Sequence, residues 1–346
     1  MIFMIHRLSY FAAKFSWEGV PNLKDVAREA NVHPTTASSV LNDASGNSRF
    51  SAETRLRVEE AARRLGYVRN RAASGLRIRR SHTVGLVAGN LQNPFFALLS
   101  LELEKRLHLL GYELLLTCHG ADNADDEHRL AKTLVERSVD GLLIWSEMRE
   151  GRTAKLPAKP GCPKVFLGYG PPRESAVTID IEDGIALAVD HLIEKGCHRI
   201  AFFSPAYARL SGLPKPRPEL LLEVCRRRRI PKPLLLYYEG ESWDLQAAVK
   251  GASKVLPGVD PNTGIIGYND VCALAWFLTA RERRWKAPLI GFDGTPLVRA
   301  MTDRMPFVDL RPALIAEKAV ELLVNLMEEK PRSARRLSVA PVFVQS

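Results

Sequence analysis

The densest chemistry in this 346-residue chain is cationic. Residues 22–81 carry twelve lysines and arginines (Lys24, Arg28, Arg49, Arg55, Arg57, Arg63, Arg64, Arg69, Arg71, Arg77, Arg79 and Arg80) against six acids, a net +6 within a chain of net +10. Such a segment attracts a polyanion by counterion release, the sequence-independent part of nucleic-acid affinity. Charge alone leaves a merely solvated helical surface as an equal reading. Embedded in the segment, Thr35, Thr36, Ser38 and Ser39 offer small hydroxyls. Side chains of this size can hydrogen-bond while letting a helix lie close to DNA in the major groove.

Other chemistry is excluded more easily. The chain holds no Gly-rich phosphate loop, nucleophile elbow or metal-spaced His/Asp cluster, and its eight histidines are scattered, so neither an enzyme, a metal site nor a cofactor is expected. The five cysteines (Cys118, Cys162, Cys197, Cys225, Cys272) are odd in number and far apart, the pattern of reduced core thiols. With 46% hydrophobic and 25% charged residues the composition is that of a soluble globular protein, and no run approaches the roughly 18 apolar residues of a membrane span. Residues 1–20 lack the apolar core of an export signal and are expected to be a disordered extension of a cytoplasmic protein.

The elements that must carry the hydroxyls follow from periodicity. Leu23, Val26, Ala27 and Ala30 share one helix face; Asn31 suits a left-handed turn; Pro34 suits the first position of a second helix running to about Asn42, with Ala37, Val40 and Leu41 inward. Ser51 caps a third helix bearing Val58, Ala61, Ala62 and Leu65 on one face before Gly66 stops it, and residues 43–50 read as a loop. From Thr83, short β-branched runs alternate with helical stretches, the rhythm of βα units in parallel sheets. Strands are expected at 83–88, 113–118, 141–145, 164–168, 199–203, 234–238, 264–268 and 288–292, with helices such as 101–110 and 182–195 between them. Two such sheets form two lobes with a cleft where ligands meet the carboxyl ends of strands.

The ordered string Leu23-Lys24-Asp25-Val26-Ala27, Val32, Thr36, Ser38, Val40-Leu41-Asn42, Ser51, Glu53-Thr54-Arg55, Leu65-Gly66-Tyr67 resembles the opening of the lactose-repressor/galactose-repressor (LacI/GalR) family. The likeness continues through Asn93-Pro94-Phe95-Phe96, Leu110-Gly111-Tyr112, Val139-Asp140-Gly141, Gly196-Cys197-His198-Arg199-Ile200, Asn269-Asp270 and Ile290-Gly291-Phe292-Asp293, which also resemble sugar-binding periplasmic proteins. It implies an all-α helix-turn-helix headpiece (21–67), a hinge (68–81), and a two-lobed α/β periplasmic-binding-protein-like domain of two parallel sheets (82–346) for effector binding and dimerisation. The lobes are expected near 82–178 with 310–330, and 179–309 with 331–346. The second lobe's strand at 307–310 then leads into a first-lobe helix over 312–328.

By position, the resemblance assigns Pro34, Thr35 and Ser39 to base edges, and Thr36, Ser38 and Asn42 to phosphates. Many members carry Arg or His where Ser39 stands, so the likeliest bidentate guanine contact is lost and base preference does not transfer. Asn70, Ala73 and Leu76 fall in a hinge that folds on DNA, with Leu76 wedging into a minor-groove step. Phe95, Phe96, Arg217, Trp243, Asn269, Asp270 and Asp293 are the effector residues it implies, a set whose rings, guanidinium and carboxylates suit a small polar ring such as a sugar. Leu310 stands where many members have a polar cleft residue, and the Arg226–Arg229 run reads as a solvated helix end. The expected protein is a repressor: a homodimer on a pseudo-palindromic double-stranded DNA operator, modulated by a small molecule and without a membrane partner. A sugar-binding protein with no DNA role is the competing reading.

Overall fold

In the computed structural model the described residues are 21–42, 50–68, 80–118, 124–146, 162–209, 216–281, 285, 287–302, 305–328 and 334–345. The chain divides into two units, 1–79 and 80–346.

Among the described residues the first unit contains three helices, α1 (Leu23–Glu29), α2 (Pro34–Asn42) and α3 (Ala52–Leu65). Asn22 opens α1 with a capping box: its side chain accepts from the N–H groups of Lys24 and Asp25 while Asp25 reaches back to the Asn22 N–H. Asn31 turns the chain at φ 50° and Gly66 ends α3 at φ 64°. The core is small and aliphatic, with Val26, Ala27, Ala30, Ala37, Val40, Val58, Ala61 and Ala62 buried. These are the apolar positions expected from helical periodicity. Arg64 pairs with Glu29 at 2.7 Å, joining α3 to α1 across the surface.

The second unit alternates strands and helices: β1 (Thr83–Ala88), α4 (Pro94–Leu109), β2 (Glu113–Cys118), α5 (Ala124–Glu136), β3 (Gly141–Ser146), β4 (Lys164–Gly168), β5 (Ala176–Ile179), α6 (Ile181–Glu194), β6 (Ile200–Pro205), α7 (Arg217–Arg227), β7 (Leu234–Tyr238), α8 (Leu245–Val255), β8 (Gly264–Gly267), α9 (Asp270–Arg281), β9 (Leu289–Phe292), α10 (Pro296–Met301), β10 (Phe307–Asp309), α11 (Pro312–Glu328), β11 (Arg336–Val339) and β12 (Val342–Val344). One sheet runs β11-β5-β4-β3-β1-β2 and is parallel throughout. The other runs β12-β10-β9-β8-β6-β7 and is parallel except for β12, antiparallel to β10. Strand alternation sorts the first sheet's side chains: Leu143 and Trp145 of β3 join the main core with α4 and α11, while Leu142 and Ile144 join the cluster under α5. The start of this unit is pinned by Asp140, which accepts from the Ser81 N–H at 2.7 Å and the His82 N–H at 2.8 Å.

Several expectations need correction. Residues 331–346 were assigned whole to the second lobe, yet β11 pairs with β5 in the first sheet and only β12 joins the second. The first lobe's helix begins at Pro94 rather than 101, because Asn93 caps it and Pro94 supplies its first turn. Phe95 and Phe96 therefore lie in the first turn of this helix. The short strands β5, β11 and β12 escaped notice, and several strand ends shift by a residue or two. The residues expected as a loop at 43–49 lie outside the described residues, as do Asn70, Ala73 and Leu76.

Candidate functional site

The chain passes between the two sheets three times: from β5 to α6, from β10 to α11, and from β11 to β12. Beside these crossings lies a cleft lined by residues of both sheets. Its walls are the residues that follow strand carboxyl ends, as parallel sheets dictate. The first lobe supplies Asn90, Asn93, Phe95 and Phe96 after β1, Trp145 at the end of β3, and Tyr169 after β4. The second supplies Tyr207, Arg217, Ser242, Trp243, Tyr268, Asn269 and Asp293, and the crossings supply Ile179, Ile181 and Leu310.

The first-lobe wall is a rigid aromatic block. Phe95, Phe96 and Trp145 stand edge to face, with ring centroids 5.4 Å (95–96), 5.4 Å (95–145) and 5.0 Å (96–145) apart. Asn93 points its carbonyl oxygen at the Phe95 N–H (3.1 Å), so capping consumes that acceptor. Gly89 is required behind this block, since a methyl there would stand 2.4 Å from the Phe96 ring.

The second-lobe wall is polar. Arg217 begins α7, donates to the Tyr268 carbonyl and lies over the Tyr268 ring at 4.7 Å and the Phe292 ring at 5.2 Å. Asn269 precedes α9: its carbonyl accepts from the Cys272 N–H (3.0 Å) and its amide donates to the Ser242 carbonyl (3.1 Å). Asp293 sits at φ 94° with Gly294 at φ 72°, a turn that L-residues rarely adopt and that is commonly held at binding sites. Burial raises the Asp293 carboxyl above the ordinary carboxylate range, Arg217 opposing the rise.

Six of the seven residues expected at this site line the cleft. Asp270 does not: its carboxylate turns away to accept from the Thr295 N–H at 2.5 Å and the Thr295 hydroxyl at 2.7 Å. Sequence reasoning missed Trp145, Tyr169 and Tyr207. Trp145 was visible as the last residue of an apolar run, where strand period puts it on the face of Leu143. Leu310, 1% exposed, lines the cleft and makes its crossing apolar. The arginine run at 226–229 is partly paired, Arg227 with Glu182 and Arg228 with Asp190, tying α7 to α6.

In the first unit Pro34, Thr35, Thr36, Ser38 and Ser39 all lie on α2; Thr35 and Ser39 are exposed, and Thr36 and Ser38 are half-buried. His33, just before the helix, meets the Thr35 hydroxyl at 2.7 Å. Among the described residues no three His, Cys, Asp or Glu side chains gather as a metal would need, and no helix is long and apolar enough to cross a membrane.

A helical unit with hydroxyls on α2, in one chain with a two-lobed domain that holds a cleft, is the arrangement of a DNA-binding regulator with an effector-binding domain. Residues 22–70 match the family described as "Bacterial regulatory proteins, lacI family", and residues 189–345 match "Periplasmic binding protein-like domain". The chain is similar to the HTH-type transcriptional repressor PurR of Aliivibrio salmonicida (strain LFI1238), 28% identical over 330 residues covering 93% of this chain and 97% of the relative. Its fold is similar to the Lac repressor bound to ONPG (TM-score 0.80, 23% identity, 94% and 98% covered). It is also similar to the transcriptional regulator CelR–cellobiose complex (TM-score 0.63, 24% identity, 94% and 98% covered). The chain thus carries a LacI-type helix-turn-helix region followed by a periplasmic-binding-protein-like domain, and the relatives it resembles are named as transcriptional repressors.

Proposed function

We propose that the protein is a cytoplasmic repressor whose homodimer grips a pseudo-palindromic operator through two headpieces and responds to a small molecule held in the cleft. In this reading Thr35 and Ser39, with Pro34, face base edges, while Thr36, Ser38 and Asn42 hold phosphates. Asn70, Ala73 and Leu76 belong to the hinge that orders on DNA. The effector meets Phe95, Phe96, Arg217, Trp243, Asn269 and Asp293, and its chemistry is that of a small ring with polar edges, a sugar or related metabolite: aromatic faces on one lobe, hydrogen-bonding groups on the other. Closure of the lobes around it shifts the dimer between states of different operator affinity, so effector and DNA are reciprocally coupled.

The observation that carries this reading is the joint presence of a small helical unit with exposed hydroxyls on α2 and a cleft open to both sheets. Genomic DNA pull-down with the purified protein at near-physiological salt tests it, against a chain lacking residues 1–81. A shared palindromic motif lost on truncation is expected. Absence of any enriched motif would favour a ligand-binding protein without a DNA role.

A further inference from the structure

The residue before α2, His33, is its N-cap: the His33 carbonyl accepts from the Thr36 N–H at 2.9 Å and the Ala37 N–H at 3.1 Å. Such a place is commonly held by a short side-chain oxygen of serine, threonine, aspartate or asparagine, which reaches the second or third N–H of the helix. In this chain an imidazole fills it. His33 Nδ1 accepts from the Thr35 N–H at 3.3 Å. Pro34, at the first position, has no N–H to satisfy, so every N–H from residue 34 to residue 37 has its acceptor.

The same Nδ1 lies 2.7 Å from the Thr35 hydroxyl oxygen. A backbone N–H can only donate, so an Nδ1 that accepts from it holds a lone pair, and the ring proton sits on Nε2. An oxygen 2.7 Å from that lone pair must offer its own hydrogen, because two lone pairs facing each other at this distance repel. Thr35 therefore commits its one O–H to His33, and its Oγ1 keeps only lone pairs for other partners. Both residues are exposed, so those lone pairs are within reach of a ligand.

We infer that His33 is a positioning residue that fixes Thr35 as a hydrogen-bond acceptor, so that this place on α2 selects a base carrying an exocyclic amino group, adenine or cytosine, over guanine or thymine. A threonine hydroxyl that rotates freely serves as donor or acceptor and discriminates little. In the major groove adenine N6 and cytosine N4 present donors, whereas guanine O6 and thymine O4 present acceptors. With its hydrogen committed, Oγ1 pairs with the first kind and meets the second lone pair to lone pair. One hydrogen bond made or missed in this way corresponds to a selectivity of about threefold to tenfold. The inference rests on the reading of Thr35 as a base-edge residue and specifies what that residue reads.

Selection from a randomised double-stranded DNA library at near-physiological salt tests it, using the full chain as wild type, His33→Ala, His33→Asn and Thr35→Val. One position in each half-site is expected to prefer adenine or cytosine by about threefold to tenfold. Thr35→Val, which removes the hydroxyl, and His33→Ala, which lets it rotate, should both flatten that position to within about twofold while the rest of the motif persists. His33→Asn, whose Oδ1 is a short acceptor at the same cap, should keep the preference. A purely structural cap would instead lower enrichment evenly along the motif, and an even loss in His33→Ala overturns the inference. So does a guanine or thymine preference at the position that Thr35→Val flattens, or a Thr35→Val motif identical to the wild type; in both cases the motif itself leaves the regulator reading standing.

A second readout needs no DNA. In ¹⁵N spectra of histidine-labelled protein at mildly alkaline pH, assigned with His33→Ala, the His33 Nδ1 is expected without a proton and Nε2 with one. A proton on Nδ1 overturns the inference whatever the library yields. Absence of any enriched motif from the wild type would sink the DNA reading, and with it the base that Thr35 selects, while the ring tautomer still decides how His33 holds the Thr35 hydroxyl.

Discussion

Gly89→Ala is the sharpest test of the aromatic wall. The new methyl would lie 2.4 Å from both Cε2 and Cζ of Phe96, where ordinary contact begins at 3.4 Å, so the ring must retreat by about 1 Å. It has little room, because Trp145 and Phe95 pack edge-on against it at 5.0 and 5.4 Å, and it is 8% exposed. The backbone gains nothing from glycine here, since Gly89 is not among the positive-φ positions. The effect should therefore be overpacking, about 1–3 kcal/mol. At about 2–4 °C per kcal/mol for a domain somewhat smaller than the second unit, the melting temperature should fall by about 2–12 °C. Trp145 emission should change, because the displaced ring pushes on it. Combining Gly89→Ala with Phe96→Leu should recover about 1 kcal/mol or more relative to the sum of the single changes. An unaltered melting temperature for Gly89→Ala, or a coupling energy near zero, would show that Phe96 does not stand where this wall needs it.

Asp293→Ala should abolish the effector response, read as a change in operator affinity on adding effector, and leave apo DNA binding within about twofold; a retained response refutes the site. Leu76→Ala should weaken operator binding by about tenfold or more with ligand binding unchanged, and equal operator affinity by fluorescence anisotropy would remove the wedge role. His191, 6% exposed with its Nδ1 unpartnered and its ring 4.5 Å from that of Phe343, has a depressed affinity for protons, chiefly from burial. Its folded value lies below the unfolded 6.5, so the native state binds fewer protons and the stability it contributes falls as pH drops through and below 6.5. His191→Phe should flatten the melting profile over that window; an unchanged acid slope contradicts the assignment.

The fold was legible where burial imposes a period. In the headpiece each helix buries one stripe, and Val26, Val40 and Val58 meet in the core that their spacing anticipated. In the second unit, β-branched runs announced most strands, while the short β5, β11 and β12 were not picked out. β11 was also misassigned: nothing local distinguishes Arg336–Val339 from Val342–Val344, and only pairing with β5 or β10 decides the sheet. At the cleft, residues adjoining strand ends could be named, but their direction could not. Asn269 and Asp270 are neighbours in sequence, yet one lines the cleft and the other turns toward Thr295. Tyr169 and Tyr207 lie in short connections whose course depends on packing with distant segments, and so carried no signal of their own.

The three crossings between sheets give the two units different prospects for recombination. The headpiece lies on one continuous stretch before residue 80, so a single splice can exchange it for another reader of DNA. Neither lobe can be traded that way. The first needs residues from before β5's end, from α11 and from β11, and the second needs the pieces between and after them. A gene-level graft of one lobe therefore requires three coordinated joins, and any partial graft leaves a sheet missing strands. New operators are accessible to such a chain by shuffling, whereas new effectors must arise by substitution in the cleft.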